Sequence, residues 1–286
     1  MTQNIFVLHI TSQCPYNCYI CFSNKIKGTI SEGFLEELIE LAGQMDVRYF
    51  NFSGGEPLLH PQLEHLIRKT VANNISVNIV TSGFGLSKNK ITSILDAGVS
   101  RIFISLDSTN EDINAISREG YSQTIRAIKL LSKIAPTKSA INFCVGHENI
   151  GDFLSIADLA RQLKIPLICL LQRKPNKEGV KFFTISEEQL YKLAIDINSI
   201  TNGPIVAIDP CFTELNRLLE NTDAITLPKN LQGCNPGVNR LSFYPDKTFS
   251  LCPHLSKRYP IDQLPNLIKS NSNIQPERKL CYEQLI

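Results

Sequence analysis

The sequence predicts an α/β protein with a parallel sheet. Short apolar segments alternate six times with segments whose apolar residues recur at helical spacing. Such alternation favours parallel strands joined by right-handed crossovers. The 286 residues, 43% of them hydrophobic, suffice for one large domain or for a domain with an appendage. An open doubly wound sheet and a partial barrel both fit this pattern, and both place ligands at the carboxyl ends of the strands.

The elements follow in order along the chain. The six predicted strands are 5–11, 48–53, 76–82, 101–107, 139–145 and 166–172. The predicted helices are 32–45, 61–72, 88–97, 121–134, 149–163 and 187–200. The first helix shows one apolar stripe, the third is closed by Gly98, and the last begins with a capping box formed by Ser186 and Gln189. Polar residues share one face near the ends of several strands, which predicts a polar interior surface.

Past residue 200 the regular alternation of predicted strands and helices ends. The sequence predicts a short strand over 204–209, a helix from 211 to about 220, and a β-hairpin of 240–244 and 249–252. We therefore expect two domains, 1–200 and 201–286.

Three cysteines, Cys14, Cys18 and Cys21, lie within eight residues directly after the first predicted strand. Thiolates select zinc, copper(I) or iron–sulfur clusters, and iron–sulfur clusters are held by closely spaced cysteines. Three ligands leave one position of a four-site centre open, as in a reactive metal site. A zinc site with a fourth ligand elsewhere is the alternative, and a disulfide framework is disfavoured because no signal peptide precedes the cysteines.

The composition limits the classes of binding partner that we expect for the chain. A net charge of +2 does not favour a nucleic-acid or membrane partner, and no apolar run approaches the ~20 residues of a membrane span. Nine cysteines without a secretion signal favour a cytoplasmic location.

The spacing of Cys14, Cys18 and Cys21 resembles the CxxxCxxC signature of the radical S-adenosylmethionine (radical SAM) superfamily. The resemblance implies a (βα)6 partial TIM-type barrel and a [4Fe–4S] cluster on these thiolates, with SAM on the fourth iron. It also implies a flavodoxin- or ferredoxin-type electron donor and a 5′-deoxyadenosyl radical that takes hydrogen from the substrate.

A second motif, Gly54-Gly55-Glu56-Pro57, resembles the GGEP motif that contacts the SAM amino group in this family. Two glycines let backbone approach a ligand closely, and Glu56 would pair with an ammonium. The resemblance places further SAM contacts at Thr81, Ser82, Ser105, Asp107 and Asn142. Ile20 stands where the family usually carries an aromatic residue beside the adenine.

The C-terminal third resembles the twitch domain, the shorter relative of the SPASM domain, which holds an auxiliary [4Fe–4S] cluster. The resemblance implies Cys234, Cys252 and Cys281 as ligands. Cys211 is either a fourth ligand or a catalytic hydrogen-atom donor of the kind found in radical SAM epimerases. A zinc site or buried thiols are the alternatives.

The resemblance implies an enzyme that acts on an unactivated C–H bond in specialised metabolism, such as natural product biosynthesis. Ribosomal peptide maturation by epimerisation, oxidation or cross-linking is our first expectation. Epimerisation or dehydrogenation of an aminoglycoside or amino sugar is the alternative. A non-catalytic iron–sulfur electron carrier is the rival class, and the GGEP motif argues against it because an electron carrier needs no SAM pocket.

Overall fold

The computed structural model describes residues 5–23, 26–174, 185–219, 240–255 and 257–265. They form one ten-stranded sheet in the order β10-β9-β8-β1-β2-β3-β4-β5-β6-β7. The strands are β1 (Ile5–Thr11), β2 (Tyr49–Gly54), β3 (Ser76–Thr81), β4 (Arg101–Ser105), β5 (Ser139–Val145), β6 (Leu167–Gln172), β7 (Ile205–Ile208), β8 (Arg240–Phe243), β9 (Thr248–Ser250) and β10 (Tyr259–Pro260). The run from β8 to β7 is parallel throughout, which confirms the predicted α/β class with a parallel sheet.

Helices connect the parallel strands. They are α1 (Glu32–Gln44), α2 (Leu63–Ala72), α3 (Lys88–Asp96), α4 (Glu111–Ser117), α5 (Tyr121–Ile134), α6 (Phe153–Gln162), α7 (Glu187–Asn198) and α8 (Thr213–Leu219). The capping box of α7 is present as predicted. The sequence did not predict α4, whose seven residues are too few to show a period. Its cap is Asn110, whose Oδ1 accepts hydrogen bonds from the N–H groups of Asp112 and Ile113.

The two faces of the sheet differ in polarity. Every second strand residue, such as Phe50 and Phe52 on β2, is fully buried in the apolar core with the helices. The opposite face carries polar groups, and the Asn78 Nδ2 donates a hydrogen bond to the Asn51 Oδ1 at 3.0 Å. This pair joins β3 to β2 on the predicted polar surface.

The sheet contains more parallel strands than the six predicted. β7 pairs with β6, and β8 pairs with β1. β7 and β8 lie at opposite ends of the parallel run, yet the Arg240 Nη1 is 3.3 Å from the Asp209 Oδ2. The sheet therefore curves until its ends meet, as in a partial barrel. The antiparallel pairing of β8 with β9 confirms the predicted hairpin. Both sides of residue 200 thus contribute to one sheet, and the division into two domains stays a prediction.

Among the described residues, none of the helices combines the length and apolar character needed to cross a membrane.

Candidate cofactor site

The cysteine loop follows β1 at its carboxyl end. Cys14, Cys18 and Cys21 are each partly buried there. Burial raises the pKa of the Cys14 and Cys18 thiols, while the N–H groups of Tyr16 and Glu119 donate to the two sulfurs and lower it. Within the described ranges, no three His, Cys, Asp or Glu side chains converge as the ligands of one metal ion would. What the loop does offer is three thiols and backbone donors directed at two of the sulfurs.

The GGEP segment closes the base of this loop. The Gly55 N–H donates to the Thr11 carbonyl oxygen and the Glu56 N–H to the Gln13 carbonyl oxygen, both at 2.7 Å. A Cβ at Gly55 would lie 2.2 Å from the Gln13 oxygen, and one at Gly54, whose φ is +123°, would lie 2.5 Å from the Thr11 oxygen. The glycines therefore let two backbone segments of this chain approach each other. Their predicted contact with SAM stays a prediction.

The Glu56 carboxylate is the centre of a buried hydrogen-bond network. It is 1% exposed and accepts bonds from the Thr81 hydroxyl at 2.5 Å, from the Ser82 hydroxyl and N–H at 2.5 and 2.9 Å, and from the Leu58 N–H at 3.1 Å. Burial raises the pKa of Glu56, and these donors oppose that rise. Glu56, Thr81 and Ser82, predicted as separate cofactor contacts, thus form one unit between the ends of β2 and β3. Pro57 begins the short 3-10 helix that follows.

A buried ion pair lies beside the loop on the side of β4. The Arg118 Nε donates to the Asp107 Oδ2 at 2.8 Å, the Ser117 hydroxyl donates to the same oxygen at 2.7 Å, and the Cys144 N–H donates to Oδ1 at 3.0 Å. Although burial lowers the pKa of Arg118, attraction to Asp107, Cys144 and Cys18 raises it above its usual value. Asp107, predicted as a SAM contact, therefore holds a guanidinium that interacts electrostatically with Cys18.

Arg118 is a site residue that sequence reasoning missed. It follows α4 directly, and the last residue of α4 contacts the cysteine loop through the hydrogen bond from the Ile20 N–H to the Ser117 oxygen, 3.4 Å long. No spacing or composition marks this arginine, because its place depends on how α4 packs.

The remaining predicted contacts lie on neighbouring strands. Ile20 is buried in the cysteine loop, and Ser105 of β4 stands opposite Asn142 of β5, both nearly buried. Their contact with a cofactor stays a prediction.

The predicted ligands of the second cluster are only partly described. Cys234 and Cys281 lie outside the described residues. Cys252 is buried, and the His254 N–H donates to its sulfur. Cys211 is buried after β7, and its charge together with burial raises the pKa of the Cys252 thiol to about 11.

A parallel partial barrel with three thiols after β1 and a carboxylate network after β2 defines a class of α/β proteins that hold a thiolate-bound cofactor at the carboxyl ends of the strands. Residues 8–160 match the family model of the Radical SAM superfamily. The chain therefore belongs to the radical SAM superfamily.

Solved structures share the fold at low sequence identity. One is Streptococcus suis SuiB bound to S-adenosylmethionine, with a TM-score of 0.73 and 15% identity over 93% of this chain and 66% of that chain. SuiB bound to its precursor peptide SuiA gives a TM-score of 0.70 and 14% identity, over 90% and 62%. A third is anSMEcpe with bound AdoMet and Cp18Cys peptide, at 0.65 and 17%, over 89% and 75%. The chain thus spans slightly less than two thirds of the SuiB chains.

Proposed function

We propose that this radical SAM enzyme cleaves SAM reductively and abstracts hydrogen from a substrate, a ribosomal peptide undergoing maturation. The arrangement of Cys14, Cys18 and Cys21 beside the Glu56 network carries the proposal. When bound there, a [4Fe–4S] cluster and SAM supply the 5′-deoxyadenosyl radical. Peptides appear in the structures of two fold neighbours, SuiB with SuiA and anSMEcpe with Cp18Cys, which supports a peptide substrate.

The residues around the loop fit these cofactors. Three thiolates leave one iron for a further ligand, and the Tyr16 and Glu119 N–H groups donate to two of the sulfurs. The Glu56 network fixes the backbone next to the loop, where an ammonium would be bound. Arg118 uses its Nε for Asp107 and interacts electrostatically with Cys18, which supports it as a residue that would bind the SAM carboxylate.

Replacing Cys18 tests the cluster. We expect Cys18→Ala to lose the iron–sulfur absorbance after anaerobic reconstitution and to release no 5′-deoxyadenosine from SAM. Tyr19→Ala is the control, because Tyr19 lies in the same loop but its side chain is half exposed. A Cys18→Ala protein that released 5′-deoxyadenosine at the normal rate would refute the proposal. So would zinc in place of iron in the wild-type loop.

Replacing Arg118 tests how SAM is held. We expect Arg118→Gln to weaken SAM binding by about 10- to 100-fold, the loss of one charge-assisted contact. Arg126→Gln, on the exposed face of α5, is the control. Equilibrium dialysis with SAM measures both, and equal affinities would remove Arg118 from the site.

We propose in addition that Cys252 belongs to an auxiliary cluster, with Cys234 and Cys281. The proximity of Cys211 to Cys252 supports Cys211 as the fourth ligand. About eight irons per chain are expected for two [4Fe–4S] clusters, and about four would remove the second cluster. Cys211→Ala separates the two roles of this residue. Loss of iron marks a ligand, whereas loss of epimer formation with continued SAM cleavage marks a hydrogen-atom donor.

A further inference from the structure

A second arginine lies at the carboxyl end of β6, away from the cysteine loop. Arg173 follows β6 and continues its pairing, since its N–H donates to the Val145 oxygen of β5 at 3.0 Å. It has the same parity as Cys169 and Leu171, whereas Ile168 and Leu170 are buried in the core with the helices. Arg173 therefore projects from the polar, interior face of the sheet.

Only one nitrogen of the Arg173 guanidinium is paired with an acidic side chain. Its Nη1 forms an ion pair with the Glu148 carboxylate, and the side chain is 9% exposed. Its Nε and Nη2 are buried and form no hydrogen bond to an oxygen or nitrogen in the described part of the chain, although the guanidinium also acts on the nearby Cys144 thiol, a weak acceptor. Buried charged donors nearly always have acceptors in folded proteins. The Nε–Nη2 edge of Arg173 therefore indicates that a ligand supplies the acceptor.

The loop after β5 packs against the Arg173 guanidinium. A Cβ at Gly146 would lie 2.6 Å from the Arg173 Cζ and 2.9 Å from the Glu148 Oε2, so the glycine lets the ion pair lie directly against the backbone. Asn149 fixes the glycine loop, because its Oδ1 accepts from the Gly146 N–H at 2.7 Å and its Nδ2 donates to the Cys144 oxygen at 3.0 Å. The orientation of Arg173 is therefore set before any ligand binds.

Cys144 and the ion pair of Arg118 with Asp107 lie between Arg173 and the proposed SAM site. Cys144 of β5 lies between the two arginines, and both lower the pKa of its thiol, which burial and Asp107 raise to about 11. Arg118 is paired with Asp107, which follows β4, and it interacts electrostatically with Cys18. Arg173 stands two strands further round the barrel, beyond the groups assigned to SAM.

We propose that the Nε–Nη2 edge of Arg173 binds a carboxylate group of the substrate. These two donors lie on one edge of a planar guanidinium, and their spacing matches the two oxygens of a carboxylate. Glu148 occupies the other side of the guanidinium, so the ligand enters from the barrel interior. This inference rests on the proposed function, and on a peptide substrate the carboxylate belongs to an acidic side chain or to the C-terminus.

Arginine side-chain NMR tests the contact directly. The reconstituted, SAM-saturated protein is labelled with 15N-arginine, and the Nε–H resonance missing from Arg173→Lys is assigned to Arg173. We expect propionate to shift this resonance with saturation and propionamide, its neutral analogue, to leave it in place. Arg161→Lys is the matched control, because Arg161 is an exposed arginine of α6 and its loss should leave the propionate shift unchanged. If Arg173→Lys fails to fold, Glu148→Gln identifies the same resonance through the changed ion pair.

The outcomes separate this inference from the proposed function. No propionate shift in a protein that releases 5′-deoxyadenosine overturns the inference alone. Equal shifts with propionamide, or a shift with inorganic phosphate and none with propionate, overturn the carboxylate assignment. A propionate shift in a protein that never cleaves SAM overturns both, because the carboxylate then has no radical substrate to belong to.

Discussion

His9 shows how burial sets the charge of a single side chain. It lies on β1, is 3% exposed, and stacks on Tyr244 with ring centroids 4.5 Å apart. Both ring nitrogens lack a hydrogen-bond partner among the described residues. Burial lowers the pKa of His9 to about 3, and the nearby Arg258 acts in the same direction. The folded protein therefore keeps this imidazole neutral at any pH near neutrality.

This neutrality predicts a pH dependence of stability. Above pH 6.5 His9 is neutral in both states, whereas below it the unfolded chain takes up a proton that the native protein refuses until about pH 3. His9 therefore destabilises the native state by about 2 kcal/mol between pH 6.5 and pH 5. His9→Phe keeps the stacked ring and removes the titration, so its unfolding free energy in urea should fall less over this range. Identical pH slopes in the two proteins would contradict the burial of a neutral His9.

Some residues of the candidate site can be identified from the sequence alone, and others cannot. Cys14, Cys18, Cys21 and Glu56 could be selected because their motifs are local. Arg118 and Arg173 could not, because each acquires its role from a loop or strand that packing brings beside it.

At the scale of elements, the backbone at the end of β2 packs closely against the backbone at the end of β1. Gly54 and Gly55 lie against the backbone of residues 9–13, and the adjoining carboxylate ties β2 to β3. The sequence predicted both strands and their helices with nearly their observed bounds, since apolar periodicity is strong there. It did not predict why glycine is required, because that requirement arises from a contact between two strands.

Gly55→Ala is expected to lower the unfolding free energy by about 1–3 kcal/mol, because its methyl group must displace the Gln13 carbonyl. The cysteine loop should shift with it and retain less iron. Gly43→Ala is the control, since Gly43 lies exposed in α1 with nothing within 4 Å of a Cβ. That change should stabilise the protein by about 0.5–1 kcal/mol through helix propensity. Urea unfolding and iron analysis measure both variants, and equal stability of Gly55→Ala and wild type would contradict the close approach.

At the scale of the whole molecule, Asp209 and Arg240 link β7 to β8. Asp209 is also fixed locally, since its Oδ1 accepts from the Cys211 N–H at 2.9 Å. Although burial raises the pKa of Asp209, Arg240 and further donors hold it below its usual range. The sequence could not predict this closure, because β7 and β8 have four residues each and their parallel partners, β6 and β1, are far away in sequence.

Removing one partner should be costly. Asp209→Asn leaves the largely buried Arg240 guanidinium without its counter-ion, and we expect a loss of about 1.5–3 kcal/mol in unfolding free energy. Asp158→Asn, which removes an exposed ion pair to Arg161, should cost about 0.5 kcal/mol or less. The double variant Asp209→Leu with Arg240→Met should recover most of the loss, because no charge is then buried unpaired. A double variant as unstable as Asp209→Asn would show that the two residues do not act as a pair.

The position of β1 between β2 and β8 has a consequence for biosynthesis. The ribosome makes β1 early, but β8, its neighbour on one side, emerges only after all the other parallel strands. Until then the apolar β1 presents an unpaired edge to solvent or to other nascent chains. Translation that pauses before residue 240 should therefore leave a species that depends on chaperones to stay out of aggregates.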